Sequence, residues 1–106
     1  MNRETAIVEL EQFRVLIDAV DLKILSLLNE RTKIVEEIGR VKRSAELPIY
    51  EPKREDQVYE NVTSHNSGPL SQEAVRRVFE RIIDEMRQIQ REKMLDPGQD
   101  AAEGMN

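Results

Sequence analysis

The fold is decided by residues 3–45, whose sequence is RETAIVELEQFRVLIDAVDLKILSLLNERTKIVEEIGRVKRSA. Taking every third and then every fourth residue from Leu10 gives a seam along one side of a helix. That seam consists of Leu10, Phe13, Ile17, Val20, Ile24, Leu27, Arg31, Ile34, Ile38, Val41 and Ala45. Every member except Arg31 is apolar, and neither proline nor glycine interrupts the stretch before Gly39. The pattern predicts one very long helix that packs lengthwise against other helices.

Such a helix is too long to bury its seam inside one compact chain of 106 residues. At 1.5 Å per residue, roughly 40 residues span about 60 Å, far more than helices of ordinary small domains. We therefore expect an all-α fold in which two copies of the chain share one core, as a homodimer.

The chain is predicted to form three helices, at about residues 3–46, 52–64 and 72–94. Pro48 ends the first helix, because a proline disfavours helical conformation in the residue before it. Asn2 is expected to cap the first helix, Pro52 suits the first position of the second, and Ser71 caps the third. We assign residues 1–95 to one helical domain and residues 96–106, which are polar, to a disordered tail.

Composition excludes several classes of protein. The net charge of −5 argues against a nucleic-acid-binding surface, which needs concentrated basic residues. The chain has no cysteine and only one histidine, so we expect neither a disulfide framework nor a metal site. The N-terminus lacks the apolar core of a signal peptide, and no apolar run is long enough to span a membrane. A cytoplasmic protein is the expectation.

Two cations of the long helix lie on one face. Arg31 and Lys42 are 11 residues apart in the sequence, which is close to three turns and roughly 16 Å along the axis. Val35 and Ile38 lie between them on that face. Two cationic side chains over an apolar floor leave a gap suited to a small dianion, because carboxylates bind well to both arginine and lysine.

Other polar side chains extend this candidate pocket. Arg14 lies roughly 25 Å before Arg31, so it can contribute only from a second copy of the chain that runs antiparallel. Arg54, just inside the second helix, can close the pocket from the side. Glu51 precedes that helix and can cap it or accept a hydrogen bond from a ligand hydroxyl.

The third helix offers a neutral donor. Gln90 shares a face with Phe79, Ile83 and Met86 at spacings of three and four residues. Its amide can donate a hydrogen bond into an apolar pocket without adding net charge. A buried ether or carbonyl oxygen would be polarised by that bond.

Each of these side chains also has a purely structural interpretation. Arg31 can fix the register of a coiled coil by pairing with a glutamate of another helix. Lys42 can be a solvated helix residue, and Arg14 can form a surface ion pair with Glu11 or Asp18. Arg54 can pair with Glu51 or Asp84, and Gln90, near a helix end, can be exposed. The residues alone leave these alternatives open.

An ordered series of motifs favours the functional interpretation of these side chains over the structural one. It comprises an arginine before I-D-x-x-D, then L-L-x-x-R, I-G-x-x-K and P-x-x-(D/E)-x-x-R-E, and finally the segment VRRVFERIIDEMRQIQ. Over roughly residues 10–90, this series resembles the all-helical chorismate mutases. The resemblance implies an intertwined homodimer with two active sites, each built from both chains.

The resemblance also implies roles for individual residues. Arg14 of one chain would hold one substrate carboxylate and Arg31 of the other chain would grip the second. Lys42 would contact a carboxylate and the ether oxygen of the breaking bond, to which Gln90 would donate. Arg54 would help stabilise the charge-separated transition state.

The remaining positions complete the implied site. Glu51 falls where the family places an acidic residue that accepts the substrate's ring hydroxyl, often as the shorter aspartate. Met86 replaces a serine found in some members, so that hydrogen bond is absent. The apolar lining would comprise Val35, Ile38, Ile83 and Met86.

The implied reaction is the rearrangement of chorismate, a small dicarboxylate, to prephenate, without a cofactor or a metal. An isochorismate pyruvate lyase on the same scaffold and a helical dimerisation module without catalysis are the alternatives. Docking onto another enzyme of aromatic biosynthesis stays open.

Overall fold

The computed structural model describes residues 1–95, which form three α-helices and no strand. Helix α1 spans Arg3–Ser44, α2 spans Pro52–Ser64 and α3 spans Gln72–Leu95. The predicted all-α fold, with one very long N-terminal helix, is confirmed. The predicted disordered tail, residues 96–106, lies outside the described residues.

The N-terminal ends of α1 and α3 carry the caps that the sequence predicts. The Asn2 side-chain oxygen accepts a hydrogen bond from the Thr5 backbone N–H at 2.8 Å. The Ser71 hydroxyl accepts one from the Ala74 N–H at 3.0 Å. Each bond satisfies a backbone donor that the first helical turn leaves without an internal partner, which fixes where the helix begins.

Helix α1 ends about two residues before the predicted boundary. Glu46 has a positive φ of 56°, and its N–H donates to the Arg43 carbonyl at 3.3 Å. The next residue, Leu47, donates to the Lys42 carbonyl at 2.8 Å. This pair of bonds is a Schellman motif, which closes the helix before Pro48 is reached. Helix α1 therefore ends at Ser44, two residues after Lys42.

The chain divides into two packed units, Met1–Ile34 and Val35–Asn106. In the second unit, of which residues 35–95 are described, α2 packs against α3. The buried apolar side chains there are Val35, Val75, Ile83 and Met86. The Arg76 guanidinium lies over the Tyr59 ring at 4.3 Å, a cation–π contact between α3 and α2. Of the predicted site residues, all except Arg14 and Arg31 belong to this unit.

The first unit is helical and leaves its apolar residues exposed. The exposed seam side chains of this unit are Leu10, Phe13, Ile17, Val20, Ile24, Leu27 and Ile34. A contiguous apolar strip of this length on one helix is typical of a surface that binds another protein. Within residues 1–95, no helix has an apolar stretch long enough to cross a lipid bilayer.

Candidate active site

Lys42, in the last turn of α1, is held by the connection that follows the helix. Its ammonium group donates to Glu51 Oε1 at 2.9 Å and to the Ile49 backbone carbonyl at 3.0 Å. The side chain is only 12% exposed. Lys42 is therefore not the solvated helix residue that its position alone allows, but a cation fixed at a defined point.

Glu51 occupies the N-cap position of α2 without capping it through its side chain. Its backbone carbonyl accepts a hydrogen bond from the Glu55 N–H at 3.1 Å, while its carboxylate pairs with Lys42. The Glu51 side chain is 49% exposed. Solvent screens an ion pair with one half-exposed partner, so another anion can replace this carboxylate at low cost.

Gln90 is buried on α3, with 7% of the residue exposed. Its amide nitrogen donates to the Val35 backbone carbonyl at 3.4 Å, a long and therefore weak hydrogen bond. A side chain at Gly39 would place its Cβ only 3.6 Å from Gln90 Cγ, so α1 and α3 approach closely at this glycine. The alternative interpretation of Gln90 as an exposed amide near a helix end is therefore wrong. Gln90 is a buried donor whose present partner is weak enough to be exchanged.

Three of the four apolar residues predicted to line the site are buried. Val35, Ile83 and Met86 are buried, and the last two share the face of α3 that carries Gln90. Ile38, the fourth predicted lining residue, is 44% exposed in this chain. Ile38 precedes Gly39 on α1, and only a ligand or a second chain packed against it would bury its side chain further.

Arg54 does not make either of the ion pairs suggested by its position in the sequence. Its guanidinium donates to Gln57 Oε1 at 3.4 Å, one turn along α2. Asp84, one of the two suggested partners, instead lies 3.7 Å from Arg87. Arg54 is exposed and held only by a long hydrogen bond, so it is able to reorient toward a ligand.

The two remaining predicted cations lie in the first unit. Arg14 is exposed and pairs with Glu11 at 2.8 Å, the surface ion pair that the sequence allows. Arg31 is partly buried on α1.

Arg87, Glu55 and Tyr50 form a cluster that the sequence reasoning missed. Arg87 Nη2 donates to Glu55 Oε2 at 2.5 Å, and the guanidinium carbon lies 4.9 Å from the centroid of the Tyr50 ring. The hydrogen bond to Glu55 raises the pKa of Arg87 above its ordinary value. A signal was available, since Arg87 follows the buried Ile83 by four residues and therefore lies on the inner side of α3.

A shallow groove elsewhere contains none of the predicted residues. It lies along α1 and is lined by Leu22, Leu25, Ser26, Asn29, Glu30 and Lys33. Side chains of a single helix cannot enclose a small molecule, so we do not assign a binding site there. Among residues 1–95, no cluster of His, Asp or Glu side chains could hold a metal ion.

The fold and this site together define a class of all-helical protein. The long first helix contributes the fixed Lys42, the third helix contributes the buried Gln90 amide, and both belong to one packed unit. Residues 13–91 match the family model of chorismate mutase type II. The chain therefore belongs to the chorismate mutase type II family.

Individual relatives agree with this assignment. A bifunctional chorismate mutase/prephenate dehydratase of Aquifex aeolicus is 40% identical over 79 residues, covering 71% of this chain and 22% of that protein. A chorismate mutase of Methanocaldococcus jannaschii is 33% identical over 54 residues, covering 51% of this chain and 54% of that one. This chain thus spans about a fifth of the length of the bifunctional relative.

A solved structure has the same fold. The chorismate mutase of Thermus thermophilus, form II, superposes with a TM-score of 0.75 at 35% sequence identity. The match covers 77% of this chain and 93% of that one. The helical architecture is therefore shared along almost the whole of the solved chain.

Proposed function

We propose that this protein is an isomerase that rearranges chorismate to prephenate in an active site shared by two copies of the chain. The observation that carries the proposal is the placement of Lys42 and Gln90. The Lys42 side chain is 12% exposed and the Gln90 residue 7% exposed, and both belong to one packed unit with Val35, Ile83 and Met86. Both are hydrogen-bond donors, which is what a reaction that builds negative charge on an ether oxygen requires.

The reaction breaks a carbon–oxygen bond and forms a carbon–carbon bond within one molecule. It needs no nucleophile and no proton transfer, so the protein acts by holding the reactive conformer and by stabilising charge. Lys42 and Gln90 donate to the ether oxygen as that bond breaks. Because both donors are largely removed from water, their interaction with the oxygen is stronger than it would be in solvent.

The two substrate carboxylates need cations of their own. We assign one carboxylate to Arg31 and the other to Arg14 of a second copy, with Arg54 beside the charge-separated transition state. Arg14 and Arg54 are held only by an exposed ion pair and a long hydrogen bond, so either can exchange its present partner for substrate. Glu51 accepts the ring hydroxyl once substrate shares the Lys42 ammonium.

A homodimer is part of the proposal. The exposed apolar side chains of the seam between residues 10 and 34 would be buried by a second copy of the same helix, which removes a long apolar strip from water. A second copy would also supply Arg14 to the site. We propose a cytoplasmic location, as predicted from the sequence, for this dimer.

The names of the bifunctional relatives suggest which class of enzyme could be a partner of this protein. In bifunctional relatives, the mutase is part of the same chain as a prephenate dehydratase. We propose that an enzyme that consumes the product is the first candidate for a partner of this mutase domain.

The test is direct measurement of products from chorismate and from isochorismate with the purified protein. The proposal predicts prephenate from chorismate and no release of pyruvate from either compound. Pyruvate from isochorismate would favour the lyase instead. A bicyclic mimic of the transition state should raise the melting temperature, with a shift that grows as the logarithm of its concentration above Kd, whereas a non-catalytic dimerisation module would show no shift.

A further inference from the structure

The connection between α1 and α2 is held from two sides by cations. Residues 45–51 contain no helix or strand, and they carry Glu51 at their end. On one side, Lys42 of α1 binds the Ile49 carbonyl and the Glu51 carboxylate. On the other side, Arg87 of α3 binds the residues that flank Glu51. The position of Glu51 therefore depends on both cations.

Arg87 contacts the chain immediately before and shortly after Glu51. Its guanidinium stacks on the ring of Tyr50, the preceding residue, and donates to Glu55 in the first turn of α2. Arg87 and Glu55 are 23% and 21% exposed, so this ion pair is largely shielded from solvent. Asp84 Oδ1 lies 3.7 Å from the second terminal nitrogen of Arg87, which adds a second carboxylate beside the guanidinium.

We propose that Arg87 is a positioning residue for the mutase reaction. It fixes the segment 49–55, and through that segment it sets where the Lys42 ammonium and the Arg54 side chain lie. Arg87 itself touches no substrate. This inference rests on the proposed function, since it assigns Lys42 and Arg54 to the reaction.

The geometry explains why an arginine is needed. A planar guanidinium can stack on an aromatic ring by its face while it donates to a carboxylate at its edge. A lysine can keep the charge pair with Glu55 but has no face to place on Tyr50. The Glu55 bond also orients the first turn of α2, where Arg54 is the preceding residue. One side chain thus links Tyr50 to α2 and both to α3.

The first experiment measures the segment without substrate. Amide hydrogen exchange over residues 47–55 is compared for the wild type, Arg87→Met and the control Arg81→Met. Arg81 is an exposed arginine of the same helix, paired with Glu85 one turn away. We expect exchange in this segment to accelerate roughly tenfold in Arg87→Met and to stay unchanged in Arg81→Met. Equal exchange in the two variants would overturn the proposal.

The second experiment measures turnover of chorismate by the same proteins. Misplacing Lys42 should lower kcat of Arg87→Met by roughly ten- to a hundredfold, with a smaller change in KM, because the lost contact matters mainly in the transition state. Arg87→Lys should recover part of kcat. A kcat within about twofold of the Arg81→Met control, measured per folded chain, would overturn the proposal.

A double-variant cycle separates positioning from general stability. If Arg87 acts through the Glu51 segment, then Arg87→Met should cost much less in a Glu51→Ala background than in the wild type. A purely structural arginine would show the same loss in both backgrounds, which would overturn the inference. Should Arg87→Met fail to fold, the charge-neutral Tyr50→Leu is scored by the same criteria.

Failure of the proposed function would look different. In that case the wild type would produce no prephenate, while the exchange experiment would still show whether Arg87 fixes residues 47–55.

Discussion

Among single residues, Lys42 and Gln90 are both hydrogen-bond donors, but their present hydrogen bonds hold them with different strength. Lys42 is fixed by two acceptors at 2.9 and 3.0 Å, whereas Gln90 is buried with one weak bond at 3.4 Å. A fixed cation is preorganised for the developing charge, and a weakly bonded amide can turn toward it at little cost. Replacing either residue should therefore lower the rate, whereas replacing Lys42 should lower the stability of the fold more than replacing Gln90.

Gln90→Ala should lower kcat by about two to three orders of magnitude, because it removes one preorganised donor from the transition state. Steady-state kinetics on chorismate measures the loss. Gln88→Ala is the matched control, since Gln88 is an exposed glutamine of the same helix that donates to Glu92 at 3.3 Å. Near-normal turnover in Gln90→Ala would refute the assigned role.

Lys42→Ala should lower kcat by a similar factor, about two to three orders of magnitude. It should also lower stability, because Ile49 and Glu51 lose their shared donor. Circular dichroism melting and chorismate turnover are measured on the same sample. Arg40→Ala, at an exposed position two residues earlier, should change neither. Full turnover in Lys42→Ala would contradict the proposed electrostatics.

Arg31→Leu distinguishes a functional cation from one that fixes register. Replacing the single charge in an apolar seam by leucine should leave the melting temperature equal or higher, because apolar residues often replace buried charges without loss of stability. Activity should be lost, since one substrate carboxylate has no anchor. An unfolded Arg31→Leu protein would show that the arginine serves the structure.

At the scale of elements, the helix boundaries followed from local chemistry that is visible in the sequence. Asn2 and Ser71 cap helices as predicted, because capping depends only on a side chain and the backbone three residues on. The end of α1 was predicted less well. Its Schellman motif places a glutamate in the left-handed conformation, where glycine is the usual residue, so Pro48 marked the boundary only approximately.

Glu46→Gly should therefore stabilise the protein, by about 0.5–1 kcal/mol, because glycine adopts φ of 56° without the steric cost that a Cβ imposes. The gain is partly offset by the greater freedom of glycine in the unfolded chain. Urea unfolding measures the change in the free energy of unfolding, and the slope of that free energy against urea concentration should stay unchanged. A destabilised Glu46→Gly protein would contradict the strain argument.

Contacts between elements were harder to predict than the elements. The sequence places Lys42, Glu51 and Gln90 on the right elements, and the structure shows the Lys42–Glu51 pair and a buried Gln90. Arg87 was missed because its partners, Tyr50 and Glu55, lie more than 30 residues away in the sequence. Periodicity reports which face of a helix is buried but not which side chain it meets.

For the whole molecule, the proposed active site depends on a second copy of the chain. The seam predicted from the sequence is exposed at Phe13, Ile17 and Leu27. Burying these side chains against an identical helix would satisfy both the apolar pattern and the need for Arg14 in the site.

Ile17→Glu should therefore dissociate the dimer, with an affinity at least about a hundredfold lower, because it places an unpaired carboxylate in the proposed interface. Sedimentation velocity over a range of concentrations measures the change. Lys23→Glu alters the charge at an exposed position outside the seam and serves as the control. A wild-type protein that stays monomeric at all concentrations would remove the basis for a shared site.

The most direct test of the shared site is complementation between two inactive variants. Arg14→Ala and Lys42→Ala are unfolded together and refolded as a mixture, and chorismate turnover is measured before and after. If Arg14 and Lys42 of one site come from different copies, half of the dimers are mixed and each contains one intact site, so activity should return to about a quarter of the wild-type value. Activity no greater than the average of the two parents would contradict the shared active site.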